Sequence, residues 1–218
     1  MRKRQMHSET PTYRRDRARL PAAERRLQII EVATELIADR GFWGLSIQDV
    51  ADRCGLTVPG VLHHVSSKDG LLIAVLEHRD AEDTRMLAAA LANDDELILE
   101  SVGPVHNPVP RLRRVCSAVV RHAATQPEIV RLFAVLEAES LAPNHPAHDY
   151  FQERQAKVLS VFAEMAAGLT DHPETLARQV MALMDGLQMQ WLRTPDSIDL
   201  VNEWETVSEV LFSSRLPQ

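Results

Sequence analysis

Cysteine is scarce in this chain, and neither a membrane-length hydrophobic run nor an alternating strand pattern occurs. The two cysteines, Cys54 and Cys116, sit inside apolar helical patterns with no partner at metal-ligand or redox spacing. They read as small buried hydrophobes. No apolar stretch follows the basic start, and no run is long enough to cross a bilayer, so the expectation is a soluble, cytoplasmic protein without a membrane partner. The scattered His, Asp and Glu include no nucleophile–base pair and no metal quartet, which argues against an enzyme and implies neither metal nor cofactor. His145, His148 and Asp149 lie close in sequence, but in a proline-bounded segment with no distant anchor. They read as a loop that caps the next helix. Internal repeats and low-complexity tracts are also missing.

What the 218 residues do hold is helical periodicity and an uneven charge distribution. Residues 1–26 carry nine Lys and Arg against three acids, although the whole chain has a net charge of −7. Residues 1–80 come to +2 and residues 81–218 to −9. This asymmetry fits a phosphate-facing end joined to an acidic body. Residues 1–19 lack periodic hydrophobics and read as a basic, disordered arm, either DNA-contacting or simply solvated. The reading is all-α: an N-terminal three-helix DNA-binding unit over 20–68 with a connector helix to about 92, and a C-terminal helical domain over 93–218, about nine helices in total. The first helix is expected over 21–40 with Leu27, Ile30, Ala33 and Ile37 on one stripe and Gly41 as its stop. The stretch 92–110, with Asn-Asp-Asp, Gly-Pro and further prolines, marks the domain seam. Later helices are expected at 110–124, 127–141, 146–168, 173–193 and 199–213. Thr125 with Glu128, and Asp171 with Glu174, give capping-box signals.

The most telling stretch runs from Leu45 to Lys68. Ser46 with Asp49 opens one short helix, Cys54-Gly55 supplies a tight turn, and Thr57 opens a second helix with Pro59 in its first turn. Together they form a helix-turn-helix whose second helix can dock in a DNA major groove. A further helix is expected to begin near Ser66, with Asp69 three residues on.

Arg26-x-x-Ile29-Ile30-x-x-Ala33-x-x-Leu36-Ile37-x-x-x-Gly41-Phe42-x-x-Leu45-Ser46-Ile47-x-x-Val50-Ala51-x-x-Cys54-Gly55-Leu56-Thr57, then His63-His64-Val65-x-Ser67-Lys68-Asp69-x-Leu71-Leu72, resembles the N-terminal domain of TetR-family transcriptional regulators. Phe151-x-x-Arg154 and the run from Met184 to Leu192 followed by Pro195 resemble the closing half of many TetR-like regulators from actinobacteria. The resemblance implies an all-helical homodimer, a repressor in most members, with a small-molecule site in the C-terminal domain. It places Ser46 and Thr57 on DNA phosphates, Val58, Pro59 and Gly60 on base edges, Leu62, His63 and His64 beside the DNA, and Lys68 on a phosphate; Gln48 joins this DNA-binding set. Leu62 stands where the family's usual tyrosine reaches a phosphate, and Val65 replaces its usual phenylalanine.

In the C-terminal domain, Phe133, Leu136, Met165, Met181, Met184 and Trp191 are candidate lining for an effector site, with Glu137, Asp185 and Gln188 as polar anchors. The plainer alternative for each is ordinary core. Val180, Leu183, Leu187, Trp191, Val207, Val210 and Leu211 give the last two helices more apolar surface than one small domain needs, which points to a four-helix dimer interface. The partners expected are a palindromic double-stranded operator, a small-molecule effector and a second copy of the chain. The functional reading is a ligand-released repressor; the alternative is an activator, or a regulator controlled by a protein partner.

Overall fold

The computed structural model describes residues 20–92 and 111–213, so the basic arm and the seam at 93–110 lie outside the described residues. Among the described residues there are nine helices and no strand: α1 (Ala22–Arg40), α2 (Ile47–Cys54), α3 (Val58–Val65), α4 (Lys68–Ala92), α5 (Arg111–Ala124), α6 (Pro127–Glu139), α7 (His148–Ala166), α8 (Pro173–Arg193) and α9 (Leu200–Ser213). No described helix is long and apolar enough to cross a membrane.

Helix α1 buries Ile29, Ile30, Ala33, Leu36 and Ile37. Leu27, expected on that stripe, is 40% exposed, since the buried face of α1 begins only at Ile29. Gly41 ends the helix at φ 70°, where a side chain would be strained, and its N–H returns to the Ile37 carbonyl at 2.8 Å. Leu71, Leu72, Ala74, Val75 and Leu76 of α4 close the same core, together with the inner faces of α2 and α3.

At 25 residues α4 is about 37 Å long, and only its first half serves that head core. Farther along, Arg79 donates to Gln126 Oε1 at 2.5 Å, and His122 of α5 meets Asp83 at 3.3 Å. The helix thus runs from the head into the body.

The second core joins α5, the end of α7, α8 and α9 through Leu112, Cys116, Phe162, Ala177, Val180, Trp191 and Trp204. Trp204 is fully buried, and its indole N–H donates to Ser117 Oγ at 2.9 Å, satisfying a donor that would otherwise be orphaned.

The apolar division of the molecule does not follow chain order. Leu132 and Leu136 of α6, Ala147, and Phe151 of α7 belong to the head's core. Two capping signals also resolve differently. Thr125 Oγ1 donates back to the His122 carbonyl at 2.7 Å, and Gln126 precedes α6 without a side-chain cap. His172, also without a side-chain cap, precedes α8 in place of Asp171. In both helices Pro at the first position removes one of the orphan amides of the helix start.

Candidate nucleic-acid interface

The helix-turn-helix is built from its caps. Ser46 Oγ accepts the Asp49 N–H at 3.1 Å, and Thr57 Oγ1 accepts the Gly60 N–H at 3.2 Å, so each short helix starts on a hydroxyl that satisfies one orphan amide. Between them Gly55 adopts φ 64°, ψ 36°, and its N–H is shared by the Ala51 and Asp52 carbonyls. Val50, Ala51 and Cys54 of α2 and Val61 and Val65 of α3 turn inward. This fixes the opposite face of α3 toward solvent.

On that face Thr57, Pro59 and His63 are exposed, and Gly60, Leu62 and His64 are half-buried. Val58 is half-buried and packs against the head core, leaving less of its side chain for a base edge than the sequence implied. Gln48 is exposed but donates to Asp52 Oδ1 at 2.8 Å along its own helix. The His63 and His64 rings meet edge to face at 5.4 Å. Arg40 and Arg53, also on the head, are paired with Asp39 and Glu35 at 3.2 and 3.3 Å.

Lys68 starts α4. The expected cap at Ser66 is instead supplied by Ser67, whose Oγ accepts the Gly70 N–H at 2.9 Å, while Ser66 occupies the bend at φ 64°, ψ −46°. The Lys68 ammonium lies 4.4 Å from the centroid of the buried Phe42 ring. Sequence reasoning gave Phe42 no role at this surface. The same is true of Glu139, whose carboxylate accepts the Phe42 N–H at 3.0 Å from 97 residues away, and of His145, packed edge-on to Phe42 at 5.2 Å.

The effector candidates fall into separate environments. Phe133 and Leu136 pack with the head core, Met184 is in the body core with Met165 against it, and Met181 and Gln188 are half-buried. Met165, with Arg111, Val161 and Glu164, lines an open groove of about 440 Å³. Glu137 and Asp185 are both exposed, on neighbouring helices α6 and α8, and the Glu137 charge acts on Asp185. Desolvation by the surrounding protein, reinforced by the Glu137 charge and opposed by Arg154, pushes the Asp185 carboxyl up to about 6.

The dimer candidates need a sharper correction. Val180 and Trp191 are buried inside the chain itself and offer a partner almost nothing. Leu183, Leu187, Val207 and Leu211 are half-buried against the same core, and Val210, 65% exposed, is the member of the set that faces outward. Met189 of α8, outside that set, is 41% exposed.

Cys54 and Cys116 are both free and buried, and burial pushes the Cys116 thiol up to about 12. Among the described residues no group of three or more His, Cys, Asp or Glu side chains gathers as a metal site.

The sequence profile of the bacterial regulatory proteins of the tetR family matches residues 29–75, the span from α1 into α4. The regulator TtgR of Pseudomonas putida is 26% identical over 200 residues, covering 87% of this chain and 90% of its own. A protein of Saccharomonospora viridis, whose crystal structure holds choline, superposes with a TM-score of 0.68 at 20% identity, over 87% of this chain and 96% of that one. AibR, crystallised with isovaleryl coenzyme A and operator DNA, gives a TM-score of 0.60 at 20% identity, over 86% of this chain and 98% of its own. With its capped helix-turn-helix over the matched span and a helical body behind it, the chain is similar along most of its length to TetR-family DNA-binding transcriptional regulators.

Proposed function

We propose that this regulator is a repressor that binds a palindromic operator as a homodimer and is released by a small-molecule effector. The observation that carries the reading is the solvent-facing edge of α3, held by the Thr57 cap and flanked by His63, His64 and Lys68. In this reading Ser46, Thr57 and Lys68 meet phosphates, helped by the amides at the helix starts. Pro59 and Gly60 offer no bidentate hydrogen bonds, so contact with thymine methyls and readout of DNA shape carry more of the specificity.

A twofold dimer through α8 and α9 would present two α3 helices to half-sites about one helical turn, roughly 34–36 Å, apart. Effector binding in the body would favour a dimer whose reading heads no longer match that spacing. The co-crystallised ligands of AibR and the S. viridis protein support an effector for this chain without naming it.

The test is a mobility shift on the duplex upstream of the protein's own gene, with excess mixed-sequence competitor, followed by transcription from that duplex in vitro. A discrete, competitor-resistant complex that lowers transcription supports the reading. A competitor-resistant complex that raises transcription replaces repression with activation, and loss of the complex under competition removes operator recognition by the chain alone.

A further inference from the structure

We propose that Glu139 and His145, both in the body, are positioning residues for DNA binding that fix Phe42 and through its ring hold the Lys68 ammonium at the head's phosphate-facing edge. The proposal rests on the reading of Lys68 as a phosphate ligand. Glu139 ends α6, and its carboxylate is sunk against bare glycine backbone: a Cβ at Gly41 would stand 2.5 Å from Oε1. The other oxygen, Oε2, takes the Phe42 N–H at 3.0 Å. This is a charge-assisted bond between the body and the turn that follows α1.

His145 completes the clamp. Its side chain has no solvent exposure, and Nδ1 accepts the Ala147 N–H at 3.2 Å, which leaves the ring proton on Nε2. That nitrogen is buried without a hydrogen-bond partner, and Glu139 Oε2 lies 3.7 Å from it. The ring stands edge-on to Phe42 at 5.2 Å and to Trp43 at 5.7 Å. Phe42 is therefore held by its amide from Glu139 and along its ring by His145, while the ring itself lies under Lys68 at 4.4 Å. Apolar contacts alone would have joined head to body; a carboxylate, a neutral imidazole and an aromatic ring in sequence also set where a cation sits.

Counterion release separates positioning from mere stability. Removing one lysine–phosphate ion pair lowers the slope of log K against log salt by about 0.9. Operator affinity measured across potassium chloride concentrations is expected to show Lys68→Ala reducing the slope by about one per protomer. Glu139→Ala is expected to give the same reduction, and Glu139→Gln, whose amide oxygen still accepts the Phe42 N–H, to restore the wild-type slope. Phe42→Leu keeps the amide bond and the apolar bulk but removes the ring face. It is expected to match Lys68→Ala, and it provides the reading if Glu139→Ala does not fold.

A wild-type slope in folded Glu139→Ala, or in Phe42→Leu, overturns the positioning role while leaving Lys68 on DNA. A wild-type slope in Lys68→Ala removes Lys68 from the interface and takes the proposal with it.

Discussion

Arg154 of α7 donates from Nε to Asp80 Oδ1 of α4 at 3.0 Å across 74 residues, and so binds the long helix that leaves the reading head to the body that would sense an effector. The same carboxylate accepts the Tyr150 hydroxyl, and the Arg154 guanidinium lies 4.9 Å from the centroid of Phe133. Burial and the Asp80 hydrogen bond hold the Tyr150 phenol well above its usual range, so it stays a donor.

Because both ends of the pair are about one-third exposed, screening discounts the ionic part, and the bond and ring contact together are worth about 1–2 kcal/mol. Arg154→Ala is expected to lower unfolding free energy by that amount in urea titration. Arg154→Lys, with a point charge in place of a planar fork, is expected to recover only part of it. No change in either variant would mean that the joint carries no stability.

Ser66, between α3 and α4, is the one non-glycine with positive φ among the described residues, at φ 64°, ψ −46°. A side chain there costs of order 1–2 kcal/mol, and glycine returns some of this through its unfolded-state entropy. Ser66→Gly is expected to raise stability by about 0.5–1 kcal/mol in thermal unfolding, with Ser66→Ala unchanged. A loss in Ser66→Gly would show that the serine hydroxyl, not strain, governs the bend.

The local parts of this molecule are readable in the sequence, because a cap or a turn is written within four residues. Ser46, Thr57 and Gly55 perform the roles their spacing implies, and α8 spans 173–193 as its periodicity indicates. What cannot be read depends on distance. Nothing in the sequence around Glu139 pairs it with Phe42, and α6 shows an apolar face without saying which core will receive it, so Leu136 reads as effector lining and lies in the head core. Val180 and Trp191 show the same limit from the other side. An apolar stripe marks burial, but an internal core and a partner's surface look alike until the packing is known.

His145 makes stability depend on pH with a definite sign. Burial lowers its pKa from 6.5, against the opposing pull of Glu139 and Asp69, with Lys68 also nearby over the Phe42 ring. The native imidazole therefore stays neutral where the unfolded chain takes up a proton. Its contribution is fully present above pH 6.5 and is lost as pH falls below that value toward the lowered native pKa. In His145→Gln the amide can still accept from Ala147 and donate toward Glu139 without titrating. Urea midpoints of wild type are expected to fall relative to this variant as pH drops from about 7.5 to about 5.5. Parallel pH profiles for the two proteins would rule out His145 as the source.

The outward face of α9 gives the final test, because it separates internal core from partner surface. Val210 is 65% exposed and Met189 of α8 is 41% exposed, so both leave apolar surface open to solvent. In a twofold interface each residue occurs on both sides, so Val210→Glu would place two carboxylates in one apolar contact, each uncompensated. On the proposed dimer, wild type is expected to sediment as a dimer and the variant, at the same concentration and with unchanged helicity, as a monomer. It would also lose tight binding to the palindromic duplex, since one reading head engages only one half-site. Leu141→Glu is the control: Leu141 is more exposed still but lies in the turn after α6, and its variant is expected to stay dimeric. A dimer that survives Val210→Glu but not Leu141→Glu would move the interface from α9 to that turn, beside Trp43 and His145, and the spacing of the reading heads would have to be derived again from there.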